Sequence, residues 1–179
     1  DPSKAEGLTP IAAKVKAGVE TLGPDGKGSL TEAADKARSE FATVARASDD
    51  LAAILYTSGT TGRSKGAMLT HDNLASNSLS LVGYWRFTDK DVLIHALPIF
   101  HTHGLFVATN VTLMAGASLI FLPSFNADEI IRLLPEATVM MGVPTFYTRL
   151  LAREDFTRDL VKHMRLFVSG SAPLSAETH

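Results

Sequence analysis

The 179-residue sequence contains no cysteine. That excludes a disulfide framework and any metal site built on thiolates. It also lacks a basic block. The 17 Lys and Arg are outnumbered by 19 Asp and Glu, for a formal net charge of −2. Such a balance gives no positive stripe for nucleic acid, so none is expected as a partner. Apolar runs all break off well short of the ~18 residues that cross a bilayer, so no membrane span is expected. The opening Asp1-Pro2-Ser3-Lys4 has neither an initiator Met nor the apolar core of a secretory signal. The sequence therefore reads as the middle of a longer protein, with the cytoplasm as default compartment. There is no short repeat and no low-complexity tract. What is present is ordinary for a globular domain with a proper core: 45% hydrophobic and 20% charged residues.

Residues 1–50 carry little chemistry. Residues 18–22 fit a short strand, followed by the turn Pro24-Asp25-Gly26. Ser29-Leu30-Thr31-Glu32 fits a capping box opening a helix to about Arg38. From residue 51 the pattern alternates. Strands are expected at 51–56 (buried), 92–97, 118–122, 138–141 and 166–169. Helices are expected from the cap Thr70 to about Gly83, over 106–114, from the cap Asn126 through Leu134, from Pro144 to about Ala152, and from Leu174 onward. Repeated strand–helix alternation predicts an α/β fold with a largely parallel, doubly wound sheet. In such sheets ligands collect at the carboxyl ends of the strands, where four chemistry-bearing segments fall.

The first of these is Thr57-Ser58-Gly59-Thr60-Thr61-Gly62-Arg63-Ser64-Lys65-Gly66. It holds five Ser/Thr hydroxyls, three glycines and two cations. Glycines let backbone N–H groups turn toward an anion, hydroxyls add donors, and Lys65 supplies neutralising charge. This suits a polyphosphate. It is not a Walker A loop, because Lys65 is preceded by Ser64 and followed by Gly66. In the second, Phe100-His101-Thr102-His103-Gly104, two imidazoles at i and i+2 suit either a packed loop or a metal, but no third ligand pattern accompanies them. The third, Val143-Pro144-Thr145, opens a helix carrying Arg149. The fourth is Ser169-Gly170-Ser171-Ala172-Pro173-Leu174.

Tyr56-Thr57-Ser58-Gly59-Thr60-Thr61-Gly62 followed by Lys65-Gly66 resembles the phosphate-loop signature of the adenylate-forming enzymes: acyl-CoA synthetases, luciferases and peptide-synthetase adenylation domains. The other three segments resemble the family's Leu-Pro-x-Phe-His-x-x-Gly, Val-Pro-Thr and Ser-Gly-Gly-Ala-Pro-Leu. The wording overall is most similar to malonyl-CoA synthetases. The resemblance implies an ATP-dependent carboxylate–CoA ligase that forms an acyl-adenylate and then a CoA thioester, with Mg²⁺, ATP and CoA, acting in fatty acid metabolism. It implies that Thr57, Ser58, Gly59, Thr60, Thr61, Gly62 and Lys65 hold the β- and γ-phosphates, one loop hydroxyl lying near the metal without its being clear which. His101 would donate to the reacting carboxylate or α-phosphate; His103 receives no role. Ser169, Gly170, Ala172 and Pro173 would wall the adenine and acyl pockets. Arg149 suits the spare carboxylate of malonate, because a planar guanidinium clamps a carboxylate bidentately. Ser171 stands where the family has its second glycine, adding a hydroxyl for a polar substrate tail.

Other family motifs are missing: Tyr-Gly-x-Thr-Glu with its metal-binding Glu, Thr-Gly-Asp with its ribose-binding Asp, and the C-terminal lid domain with its catalytic Lys. The expectation is one incomplete segment of the N-terminal adenylation domain. Residues 1–50 would flank it and 51–179 would carry the phosphate loop and acyl pocket. Such a piece would be inactive alone and prone to associate through exposed apolar surface. Two alternatives stand beside this. An adenylation domain for an amino acid would carry an Asp after the His101 segment, and residues 107–115 have none. The other is a non-catalytic nucleotide-binding or structural module.

Overall fold

The structure is a computed structural model that describes residues 1–57 and 65–179, with Thr57 described by its backbone alone. It divides into two compact units, residues 1–45 and 46–179.

The first unit has two helices, α1 (Ala5–Lys14) and α2 (Ser29–Lys36), neither with a buried residue. The short strand expected at 18–22 does not form, and α1 lies where the sequence pattern suggested no element. The capping box is also absent. Gly28 is the N-cap of α2, and Ser29 sits inside the helix. Its hydroxyl accepts from the Thr21 N–H at 2.9 Å and donates to the Glu20 carboxylate. Ser29 thus serves the preceding loop rather than its own helix end.

The second unit opens on an antiparallel pair, β1 (Leu51–Thr57) and β2 (Lys65–Thr70), in which Thr57 faces Lys65. This corrects three expectations. The strand at 51–56 is largely exposed, with Leu51, Ile54 and Tyr56 at 48%, 46% and 75%. It also stands outside the parallel sheet. Lys65, expected in the loop, begins β2. Residues 58–64, the heart of the expected phosphate loop, lie outside the described residues.

Thr70 opens α3 (His71–Trp85) as expected. Its hydroxyl accepts from the Asn73 N–H at 3.2 Å, and the Asn73 side chain accepts from the Thr70 N–H at 3.0 Å, a reciprocal cap. Then follow β3 (Val92–His95), a π-helical turn (His103–Thr109) continuing into α4 (Asn110–Met114), and β4 (Ser118–Phe121). Next come α5 (Ala127–Leu133), β5 (Val139–Gly142), α6 (Pro144–Leu151), the short α7 (Arg158–Val161) and β6 (Leu166–Ser169). No helix begins at Leu174; the chain there has no regular secondary structure and ends in a turn.

β3 to β6 form a four-stranded parallel sheet in the order β4-β3-β5-β6. Strand side chains alternate between its faces. Leu93, Val139 and Met141 meet α3, the π-turn and α4 through Val82, Ala108 and Val111. Ile94 and Met140 meet α5, α6 and α7 through Ile130, Leu150 and Leu160. Both faces are covered, so the sheet is doubly wound, as the alternation predicted.

The amino ends of the strands are fastened by Asp91. Its carboxylate accepts from Arg165 Nε and Nη2, each at 2.6 Å, from the Thr138 hydroxyl at 2.8 Å and from the Thr88 N–H at 2.8 Å. This joins the approaches to β3, β5 and β6 and leaves the carboxyl ends for other uses.

Candidate active site at the carboxyl ends of the strands

β3 and β5 are neighbours, with His95 beside Met141. The chain leaving β3 passes through the π-turn and α4 over one face; the chain leaving β5 passes through α6 over the other. That divergence is a topological switch point, where open α/β sheets bind ligands. β6 adds Ser169 beside Gly142 on the far side of β5. Three of the four expected segments therefore meet at one edge of the sheet.

The turn after β3 is tightly wound. The His101 N–H donates to the Pro98 carbonyl at 3.2 Å, and the Leu105 N–H to the His101 carbonyl at 2.9 Å. Gly104 packs so closely that a Cβ there would lie 2.3 Å from the Pro98 oxygen. Only glycine permits that approach. His101 is exposed, its ring 4.5 Å from that of Phe100.

Beneath it lies His95, fully buried at the end of β3. Its Nε2–H donates to the Gly104 carbonyl at 2.8 Å, which also receives the Thr109 hydroxyl at 2.9 Å. That tautomer leaves Nδ1 bare, and it has no partner among the described residues. The π-helical turn thus hangs from two donors on one carbonyl. Such turns interrupt α-helical regularity and are found disproportionately at functional sites.

His103, given no role in the sequence, reaches across to the loop that follows β6. Its Nδ1 lies 3.2 Å from Ser171 Oγ. Its ring also fills the space over Gly170, where a Cβ would come within 2.9 Å of Cε1. Burial lowers the His103 pKa below its ordinary 6.5, with the nearby His95 adding to the effect. Ser171 itself has φ = 68°, the left-handed region that glycine enters without penalty. This explains in backbone terms why the family pattern has a glycine there.

α6 is tied to the strands by Tyr147, whose hydroxyl donates to the Val168 carbonyl at 2.6 Å. Burial, first among the causes, pushes the phenol pKa up. Arg149 stands on the last turn of the two-turn helix α6, with its guanidinium 4.5 Å over the ring of Phe125. Phe125 in turn lies 4.4 Å from Phe146. Ser169 Oγ is buried without a partner among the described residues. Ser169 lines a groove of about 570 Å³ beside the edge strand β6, with otherwise mainly apolar walls such as Leu151, Phe156 and Leu166. Ala172 and Pro173 are exposed in the following loop.

The structure thus brings together the second and fourth segments through His103, Gly170 and Ser171, and packs the third beside them through Tyr147. Lys65 stands at the start of β2, and Thr57, Ser58, Gly59, Thr60, Thr61 and Gly62 carry no described side chains. Among the described residues no three carboxylate, imidazole or thiol groups cluster as a metal site.

The fold and this edge of the sheet define the class. The chain matches the AMP-binding enzyme family over residues 2–179 and belongs to it. It is 42% identical over 139 residues to the mitochondrial malonate–CoA ligase ACSF3 of Mus musculus, an alignment covering 69% of this chain and 24% of that protein. Among solved structures it is similar to apo MatB from Rhodopseudomonas palustris at 70% identity and a TM-score of 0.97. The ATP-bound form of MatB matches at 71% and 0.96; each match covers 100% of this chain and 36% of the MatB chain. The chain spans about a quarter of the curated relatives it matches. No helix among the described residues is long and apolar enough to cross a membrane.

Proposed function

We propose that this chain is part of the large N-terminal domain of an ATP-dependent malonate–CoA ligase. The carrying observation is His103 bonded to a left-handed Ser171 at the switch-point edge of the sheet. A serine that accepts backbone strain where a glycine fits, with its hydroxyl already held, suits a polar substrate tail better than a fatty chain. The likeness to malonate–CoA ligases points the same way.

In this reading a malonate carboxylate oxygen attacks the α-phosphorus of ATP. The bond to the β-phosphate bridging oxygen breaks, giving malonyl-adenylate and pyrophosphate. The CoA thiol then displaces AMP. Lys65, with Thr57, Ser58, Gly59, Thr60, Thr61 and Gly62, stabilises the charge that gathers on the departing phosphates. His101, exposed at the tip of its turn, donates to the reacting carboxylate or the α-phosphate. Arg149 and Ser171 hold the carboxylate that does not react, and Ser169, Gly170, Ala172 and Pro173 wall the pocket. Mg²⁺, were it bound with the nucleotide, would supply further neutralisation, with a hydroxyl of residues 57–62 near it. The remaining groups for adenylation lie elsewhere in the whole protein, so residues 1–179 alone do not suffice. The cytoplasm remains the proposed compartment, although the Mus musculus relative is named as mitochondrial.

The test is product analysis with the full-length protein, ATP, malonate and CoA. Malonyl-CoA together with AMP is expected. Formation of ADP, or a thioester from long-chain acids but not malonate, contradicts the proposal.

A further inference from the structure

His103 is a site residue that the structure supplies and the expected chemistry leaves unused. Three observations bear on it. Its Nδ1 lies 3.2 Å from Ser171 Oγ. Its ring rests on Gly170, where any side chain would displace it. Its position on the chain is fixed by Gly104, the next residue, whose carbonyl is held by both His95 and Thr109. A histidine held this firmly against a strained serine has a restricted set of roles.

Hydrogen-bond polarity narrows them further. A serine hydroxyl has one proton. If Ser171 spent it on Nδ1, only lone pairs would face a ligand, and lone pairs repel a carboxylate. If Nδ1–H donates to Oγ, the Ser171 proton is free to point at an anion. Burial favours the neutral imidazole, which carries its single proton on one nitrogen. An acceptor ligand at Ser171 therefore selects the Nδ1–H tautomer.

We propose that His103 is a positioning residue for substrate specificity: its Nδ1–H fixes the Ser171 hydroxyl as a donor to the unreacted carboxylate of a short dicarboxylate. The relay runs from His103 Nδ1–H to Ser171 Oγ, and from Ser171 O–H to the carboxylate. No bond other than hydrogen bonds changes. His103 itself touches no reacting atom. This rests on the reading of Ser171 as a contact to the substrate tail.

The test compares His103→Ala, His103→Gln, His103→Asn, Ser171→Ala and the double variant His103→Ala/Ser171→Ala in the full-length protein. Pyrophosphate release is measured with malonate and with propionate, which lacks the second carboxylate. His103→Ala is expected to lower the malonate-over-propionate ratio of kcat/KM about tenfold, mainly through the malonate KM. His103→Gln, which fills the space but places its amide near the Nε2 position, is expected to lower it similarly. His103→Asn, whose amide N–H falls near the Nδ1 position, is expected to recover most of the ratio. In the Ser171→Ala background, His103→Ala is expected to change the ratio less than twofold, since its target is gone. Equal losses on both substrates, or an undiminished effect without the Ser171 hydroxyl, overturn the proposal. A ratio moved by Ser171→Ala but not by the His103 variants overturns it while leaving the dicarboxylate reading intact. A ratio unmoved by Ser171→Ala overturns that reading and this proposal with it.

Discussion

Replacing Asp91 with asparagine removes a charge while keeping the shape of the side chain. Asp91 is 3% exposed, and its two oxygens meet Arg165 in a paired 2.6 Å contact while also accepting from Thr138 and Thr88. Breaking a buried pair by removing one partner costs about 3–5 kcal/mol, because the other charge is stranded. Arg165 is less isolated than that. Its side chain is 35% exposed, and it also donates to the Trp85 carbonyl and lies over the Phe87 ring. Water and these contacts solvate the remaining guanidinium, so Asp91→Asn is expected to cost about 2–3 kcal/mol. The pH dependence follows from the same contacts. Burial opposes ionisation of Asp91, but the hydrogen bonds from Arg165, Thr88 and Thr138 outweigh it and hold the carboxyl at about 2, below its ordinary 3.8. The folded form therefore binds this proton less readily than the unfolded chain. The stability is complete above the unfolded pKa and is lost as pH falls toward about 2. Its ceiling is about 2 kcal/mol, less after screening at Arg165. Urea unfolding of the full-length protein and its Asp91→Asn variant, at pH 7 and in steps down to pH 3, measures both effects. The two curves should differ at pH 7 and converge on acidification. Coincident curves at pH 7, or a gap that stays constant to pH 3, would refute the assignment.

Other substitutions probe the proposed adenylating site. Lys65→Ala should slow pyrophosphate release about a hundredfold in the full-length protein, as expected when a donor to developing phosphate charge is lost; an unchanged rate removes Lys65 from the phosphate site. Arg149→Ala should raise the malonate KM by the equivalent of about 2–5 kcal/mol while affecting propionate less. Equal losses on the two substrates would leave Arg149 with its packing on Phe125 as its only role. Ser171→Gly relieves the left-handed strain and should raise the unfolding free energy by up to about 1 kcal/mol while weakening malonate. A variant that is both more stable and equally selective would show the hydroxyl to be idle.

Much of the fold was legible because its signals are local. Thr70, Asn126 and Pro144 announced helix starts, and short β-branched or aliphatic runs announced the four parallel strands. The failures have physical causes. Residues 51–56 form an apolar run, which by pattern alone reads as buried. They instead pair in an antiparallel hairpin with β2, and pairing partners are not written in the strand itself. Ser29 matched a cap pattern, yet Thr21 and Glu20 compete for its hydroxyl. No helix forms at Leu174, where a turn centred on Ser175 and Thr178 takes its place.

The site divides in the same way. The three segments that meet at the sheet edge were visible as motifs, but their mutual arrangement was not. His103 lies 68 residues from Ser171 in sequence, and nothing near either one signals the contact. A clue existed at Ser171, a polar residue at a glycine position, although its left-handed backbone appears only in three dimensions. His95 was hidden by its place inside a strand pattern, where a buried imidazole resembles any other inward residue. Its role is to hold a carbonyl of the next turn, a contact created by the π-helical winding.

The central claim is the proposal that this chain is part of the large N-terminal domain of an ATP-dependent malonate–CoA ligase. Malonate-dependent exchange of labelled pyrophosphate into ATP tests it most directly, because exchange reports the adenylate step without CoA. The account predicts brisk exchange by the full-length protein, dependent on malonate and not on CoA. It predicts none by residues 1–179 alone, purified free of the whole enzyme. Absence of malonate-dependent exchange in the full-length protein, or robust exchange by the 179-residue chain, would contradict it.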